Sequence, residues 1–127
     1  MKSPGGSIFP YYYKGGEIHC LKYGNKYKNK EALFHLMKQE EEFITATNRR
    51  LKIWVDFYKT SISDSVLIAF VENIKRLNNH IHKISIVGLS GINIWRLKRK
   101  IRKSNLILNL SFYADPEEAK SWLVSER

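Results

Sequence analysis

The spacing of hydrophobic residues changes repeatedly along the chain, and each change predicts a switch between strand and helix. Two short runs rich in aromatic and β-branched residues, Ser7–Tyr13 and Glu17–Tyr23, lie on either side of Gly15-Gly16, a pattern typical of a β-hairpin. Further along, nearly continuous apolar runs predict strands that are buried on both faces. These runs are Leu51–Tyr58, Lys83–Leu89 and Leu106–Tyr113.

Between these runs, apolar residues recur three and four positions apart, which is the spacing of amphipathic helices. The predicted helices extend from about Asn29 to Ala46, from the caps in Ser61–Asp64 to about Asn78, from Ser90 or Asn93 to about Lys103, and from Asp115 through Leu123. The last of these begins with Asp115 as the N-cap and Pro116 at the first helical position, a strong start signal.

The predicted order of elements is β-β-α-β-α-β-α-β-α. Strands that alternate with helices form parallel sheets through right-handed crossovers, and the hairpin at the front makes the sheet mixed. We therefore expect residues 7–127 to form a single α/β domain with four helices, preceded by a flexible arm over residues 1–6. Trp54 and Ile86 are expected to be buried in it.

Composition excludes several classes of protein. The 127 residues suffice for one domain, and the single cysteine cannot form an internal disulfide or complete a zinc site. No apolar run approaches the ~20 residues of a membrane span, and the first residues lack the apolar stretch of a signal peptide. We expect a cytoplasmic protein without a bound metal or other cofactor.

Positive charge is concentrated in the third predicted helix. The net charge is +10, and no acidic residue occurs from Ile92 to Ser104. The helix carries six cations, Arg96, Lys98, Arg99, Lys100, Arg102 and Lys103. If Ile94, Leu97 and Ile101 face the sheet, several of these cations point outward and form a surface for nucleic acid or anionic lipid headgroups. The alternative is a solvated basic face, which the helix C-terminus favours.

Another candidate site lies where the strand at Leu51–Tyr58 passes into the second helix. Asp56 lies near the end of the strand, and eight residues later Asp64-Ser65 opens the helix. A phosphate on Ser65 would be well placed, because a helix N-terminus presents free N–H groups and positive dipole charge. Alternatively, Ser63, Asp64 and Ser65 simply cap the helix.

The stretch Ile53–Phe70, IWVDFYKTSISDSVLIAF, resembles the STAS domain (sulphate transporter and anti-sigma factor antagonist). The shared pattern is a strand, an Asp, a short loop and then Asp-Ser at a helix start, and the order of elements agrees over about residues 7–125. Phosphorylated members usually have a small residue and then Gly after Asp-Ser, whereas this chain has Val66 and Leu67.

The resemblance implies a standalone regulatory module that binds a partner protein and catalyses no reaction. In the antagonist branch the partner is an anti-sigma-like kinase, which phosphorylates the serine that corresponds to Ser65. The residues themselves agree with a non-catalytic protein, because the chain has no phosphate-cradling Gly-rich loop and no serine nucleophile elbow. The alternative function is a binding module for nucleic acid or another anionic ligand, such as a lipid headgroup, through the basic helix.

Overall fold

A computed structural model describes residues 1–25 and 29–125. Within them the strands are β1 (Tyr11–Tyr13), β2 (Gly16–Lys22), β3 (Leu51–Asp56), β4 (Ile81–Val87) and β5 (Leu110–Phe112). The α-helices are α1 (Lys30–Thr47), α2 (Asp64–Leu77), α3 (Gly91–Lys103) and α4 (Pro116–Val124), and a short 3-10 helix (Asn78–His80) links α2 to β4. This is the predicted order of strands and α-helices.

The five strands form one mixed sheet in the order β1-β2-β3-β4-β5. Strand β1 pairs antiparallel with β2 through the hairpin, and the other pairs are parallel. The predicted α/β fold with a mixed sheet is therefore confirmed. Each parallel strand from β3 to β5 is added on the same side of the previous one, and all crossovers are expected to have the same hand. The connecting helices α1, α2 and α3 therefore lie on one face of the sheet, where they pack side by side. Helix α4 packs on the other face, against β2, β3 and β4.

Each face of the sheet has its own hydrophobic core because successive side chains of a strand point to opposite faces. In β3, Ile53 and Val55 join the core beneath the three connecting helices, whereas Trp54 joins the smaller core beneath α4. Trp54 is 7% exposed and Ile86 is 1% exposed, which confirms that both are buried.

The outer strands are shorter than predicted. The expected strand Ser7–Tyr13 is reduced to β1, since Pro10 has no N–H to donate to the ladder. The expected strand Leu106–Tyr113 is reduced to β5. Leu106 and Leu108 still pack against the larger core, so their apolar character reflects burial of a loop rather than strand pairing.

The first six residues, which were expected to form a flexible arm, make hydrogen bonds within the segment and to α1. The backbone N–H of Gly6 donates to the carbonyl of Ser3 at 2.9 Å, and Ser3 is buried. The N–H of Gly5 donates to Oε2 of Glu40 in α1 at 3.1 Å. The segment is held because a buried carboxylate requires hydrogen-bond donors, and this backbone amide supplies one.

Candidate functional site

Helix α2 begins with three polar residues that have different roles. Ser63 is the N-cap, and its hydroxyl accepts a hydrogen bond from the N–H of Val66 at 3.3 Å. Asp64 is the first helical residue and Ser65 the second, and both side chains are exposed. Ser63 thus performs the capping that the sequence assigned to the three residues together, and the hydroxyl of Ser65 remains at the surface.

Asp64 connects the two sites that the sequence predicted separately. Its Oδ1 lies 2.7 Å from Nζ of Lys100 and 3.6 Å from Nη2 of Arg96, both in α3. The hydrogen bond from Lys100 is the main cause that lowers the pKa of the Asp64 carboxyl. The stabilisation from this contact is therefore present above the unfolded-state pKa and is lost as the pH falls through the lower folded-state pKa.

The hydroxyl of Ser65 lies among small polar groups and one cation. Its Oγ is 2.9 Å from Oγ of Ser63 and 3.5 Å from Nζ of Lys30, the first residue of α1. Val66 and Leu67, which depart from the STAS pattern, are both buried in the core. The departure therefore concerns residues that fill the core, and it leaves the exposed position of Ser65 unchanged.

Asp56 has a local structural role at the end of β3. Its Oδ1 accepts a hydrogen bond from the N–H of Tyr58 at 2.8 Å, which closes the turn after the strand and ends β3 two residues earlier than predicted. The contacts described for Asp56 are with this loop and do not include Asp64 or Ser65. The structure therefore joins Asp64 to α3, whereas Ser65 contacts Ser63 and Lys30. Asp56 is not brought into this cluster.

The six cations of α3 fall into distinct groups. Arg96 and Lys100 bind Asp64, and Arg96 also donates to Oδ1 of Asn93 at 2.9 Å. Lys98 lies over the ring of Phe112 on one flank of the helix, at 5.5 Å. Arg99 and Lys103 lie on the other flank, beside Asp64. Arg102 is exposed. Leu97 and Ile101 are buried beneath the helix, as predicted.

A groove of about 410 Å³ runs along the outer side of α3, from Asp64 and Ile92 to Lys103. Ile92 is 69% exposed and Trp95 is 55% exposed, so the groove presents apolar surface beside its cations. The guanidinium of Arg99 lies over the Trp95 ring, 5.6 Å from its centroid. The exposure of Trp95 could have been predicted from the helical period, because Trp95 lies about 200° around the helix from the buried Leu97.

The surface continues onto α2. Ile68 is 49% exposed and lines a second depression together with Lys100 and Lys103. We call the combined surface the α2–α3 face. Its members lie along these two helices and are at least partly exposed to solvent, and they are Asp64, Ser65, Ile68, Glu72, Ile92, Trp95, Arg99, Lys100 and Lys103. It combines aliphatic, aromatic and cationic groups with two acids, Asp64 and Glu72.

Because the carboxylate of Asp64 forms ion pairs with Lys100 and Arg96, we expect Asp64→Asn to strengthen the binding of anions to α3. The substitution releases two cations from an internal carboxylate. Elution from a heparin column should require more salt than for the wild type. Glu42→Gln, an exposed position on α1, makes the same change in net charge away from α3. Equal shifts for the two variants would show that only the net charge matters.

Within residues 1–25 and 29–125, no group of three or more His, Cys, Asp or Glu is placed to hold a metal ion. In the same part of the chain no helix is both long and apolar enough to cross a membrane.

Comparison with known proteins gave no relative. No family model, no curated protein and no solved structure matches this chain. The resemblance to STAS domains thus depends on the residues of Ile53–Phe70 and on the order of elements.

Proposed function

We propose that this chain is a non-catalytic, cytoplasmic regulatory module that binds an acidic segment of a partner protein on the α2–α3 face. One observation carries the proposal, the contact of Asp64 with Lys100 and Arg96. This contact joins the start of α2, which carries the candidate phosphorylation site, to the basic helix α3. The two helices thus form one surface. The exposed Ile92 and Trp95 beside it favour a protein partner, since apolar and aromatic side chains are enriched in the buried core of protein interfaces.

The resemblance to STAS domains supports the same assignment. The order of elements in this chain resembles that of the family over about residues 7–125, and the Asp-Ser pair lies at the start of α2. In the antagonist branch this serine is the one that a partner kinase phosphorylates. We therefore propose that the partner is an anti-sigma-like kinase, or a protein with an equivalent role, and that it recognises Ser65.

The charges around Ser65 indicate how a phosphate would switch binding. A phosphoserine carries about −1.5 to −2 charges at neutral pH. At Ser65 it would attract Lys30, whose Nζ is 3.5 Å from Oγ, and would compete with an incoming acidic segment for the cations of α3. It would also repel that segment directly. Phosphorylation should therefore release the partner.

The test of the switch compares two substitutions at Ser65. Ser65→Asp should weaken the partner complex because it adds a negative charge to the surface that the acidic segment occupies. The fold should be retained, since an acid in the first turn of a helix contributes a favourable ~0.3–1 kcal/mol. Ser65→Ala should bind like the wild type, and its stability should be nearly unchanged because Ser63 is the N-cap. Titration calorimetry and thermal melting of both variants measure these effects.

Asn79→Asp is the matched control for added charge. Asn79 is exposed in the 3-10 helix before β4, away from the α2–α3 face, and the change is nearly isosteric. The control should bind the partner with wild-type affinity. Equal affinities of Ser65→Asp and the wild type would remove the switch from the proposal.

A second candidate function is the binding of nucleic acid. It is favoured by Arg99 lying over the exposed Trp95 ring, since bases stack on aromatic rings and arginine contacts phosphate. Affinity for RNA or DNA should then fall steeply with salt because phosphate contacts release counterions. Pull-down from native lysate with and without nuclease separates the two functions. A protein partner stays bound after nuclease treatment, whereas proteins bridged by nucleic acid are lost.

A further inference from the structure

A second cluster of cations lies away from the α2–α3 face, at the sheet edge where the parallel strands begin. A pocket of about 400 Å³ opens there between the hairpin turn, the starts of β3 and β4, and the end of α4. The cationic and titratable side chains that line it are Lys14, Lys52, His82 and Lys83. They come from three segments that lie far apart in the sequence and are brought together only by the sheet.

Lys83 is a buried charge in this pocket. The residue is 2% exposed, and its Nζ donates to the carbonyls of Trp122 at 2.8 Å and Ser125 at 3.1 Å. These oxygens belong to the C-terminal end of α4, whose partial negative charge favours a cation. Burial, followed by the charge of Lys52, lowers the pKa of the Lys83 ammonium. The groups that bind it are thus neutral, and its neighbour on the sheet repels it.

Carboxylates are missing from this pocket in the part of the chain that the structure describes. There, no Asp or Glu lines the pocket or forms an ion pair with Lys14, Lys52 or Lys83. Lys14 is positioned by a neutral group, because its Nζ donates to Oγ of Ser121 at 3.2 Å. Among the described residues, the lysines that converge on this concave space leave an excess of positive charge, and an anion would relieve it.

The wall of the pocket is fixed by the glycine turn. Gly15 has φ +82°, a conformation that favours glycine, and a Cβ on Gly16 would lie 2.5 Å from Cγ1 of Val124. The turn can therefore pack directly against the end of α4. This packing holds Lys14 next to the space that Lys52 and Lys83 border, so the cations are in place before any ligand binds.

We propose that this pocket binds a small phosphate-bearing anion, with Lys14, Lys52 and Lys83 as its counter-ions. Lysine binds phosphate as a point charge, and three cations around a compact space suit a ligand with several negative charges. The site is on the α4 face of the sheet, separate from the α2–α3 face. The shared chemistry of the ligand is the phosphate group, whether in free phosphate, pyrophosphate or a phosphate ester.

The experiment is an NMR titration of the full chain with inorganic phosphate, pyrophosphate and AMP at constant ionic strength. Pyrophosphate should shift the amide signals of Gly15, Gly16 and Lys83, and it should bind more tightly than inorganic phosphate because it carries more charge. Binding of AMP to the same residues would extend the ligand class to phosphate esters, and exclusion of AMP would restrict it to free phosphates. No shift around the pocket with any of the three overturns the proposal.

Substitutions separate this site from a general effect of positive charge. Lys14→Ala and Lys52→Ala should each raise the Kd for pyrophosphate roughly tenfold, the effect of losing one charge-assisted contact. Lys38→Ala, at an exposed position on α1, removes the same charge elsewhere and should leave the Kd nearly unchanged. Equal weakening by all three variants would contradict the proposal. The test does not use Lys83→Ala, because Lys83 is buried and its removal would affect folding as well as binding.

The outcome is independent of the partner-binding proposal. Arg99→Ala alters the α2–α3 face and should leave pyrophosphate binding unchanged. Loss of pyrophosphate binding in Arg99→Ala, together with retention in Lys52→Ala, would move the anion site to α3 and overturn the inference.

Discussion

Reversing two charges on the outer side of α3, Arg99→Glu with Lys103→Glu, should abolish partner binding. Both residues line the groove beside Ile92 and Trp95, so an acidic segment in the groove would meet repulsion instead of attraction. Truncating one member of a buried charge pair at an interface costs about 2–5 kcal/mol, and a double reversal should lower affinity by about 100-fold or more. Calorimetry with the partner recovered after nuclease treatment measures this loss.

The same helix provides a matched control. Lys98→Glu with Arg102→Glu makes an identical change in net charge and in helix composition, but neither residue lines the groove. Lys98 instead lies over the ring of Phe112. This variant should keep most of the wild-type affinity. If both double variants lose binding equally, the partner responds to the overall field of the protein and the α2–α3 face is not the docking site.

The largest effect on stability is expected at Glu40, in Glu40→Ala. The side chains of Glu40 and His19 are both 0% exposed, and Oε1 of Glu40 is 3.1 Å from Nε2 of His19. The other carboxylate oxygen accepts the N–H of Gly5. Removing the carboxylate leaves His19 without this partner in an apolar site beside the rings of Phe9 and Phe43. Leaving a buried hydrogen-bonding group without its partner costs about 1–3 kcal/mol, which corresponds to a fall in Tm of about 5 °C or more.

The control for this variant is Glu42→Ala on the same helix. Glu42 is exposed, so its removal should change stability by at most about 0.5 kcal/mol. Hydrogen exchange adds a local readout, since the Gly5 amide should lose protection in Glu40→Ala as the first residues detach from α1. A Tm for Glu40→Ala equal to that of Glu42→Ala would show that the pair contributes nothing to stability.

The fold class follows from local sequence patterns. Each of the four α-helices was predicted from the spacing of apolar residues, and start signals such as Asp115-Pro116 are confirmed in the structure. The parallel strands β3 and β4 were predicted from continuous apolar runs because both of their faces are covered. The two outer strands of the sheet, β1 and β5, were predicted less well. Loops that are buried and strands that are paired have similar composition, and Leu106–Asn109 is a case of this.

The roles of polar residues within the core also needed the fold. His19 and Cys20 are neighbours in β2, so their side chains point to opposite faces of the sheet, with His19 against α1 and Cys20 in the core beneath α4. A glutamate in an amphipathic helix ordinarily lies on the solvated face, but Glu40 is fully buried. The carboxylate tolerates burial only because His19 and the N–H of Gly5 reach it from other elements.

By itself the sequence determined the elements, the basic character of α3 and the position of Ser65 at a helix start, because these depend on residues close together in the chain. Only the tertiary structure decided which of them meet. Asp64 reaches Lys100 because α2 and α3 pack side by side on one face of the sheet. Lys14, Lys52 and Lys83 converge because their elements end at the same edge. Such contacts follow from the order and direction of the strands, which place residues distant in the sequence next to one another.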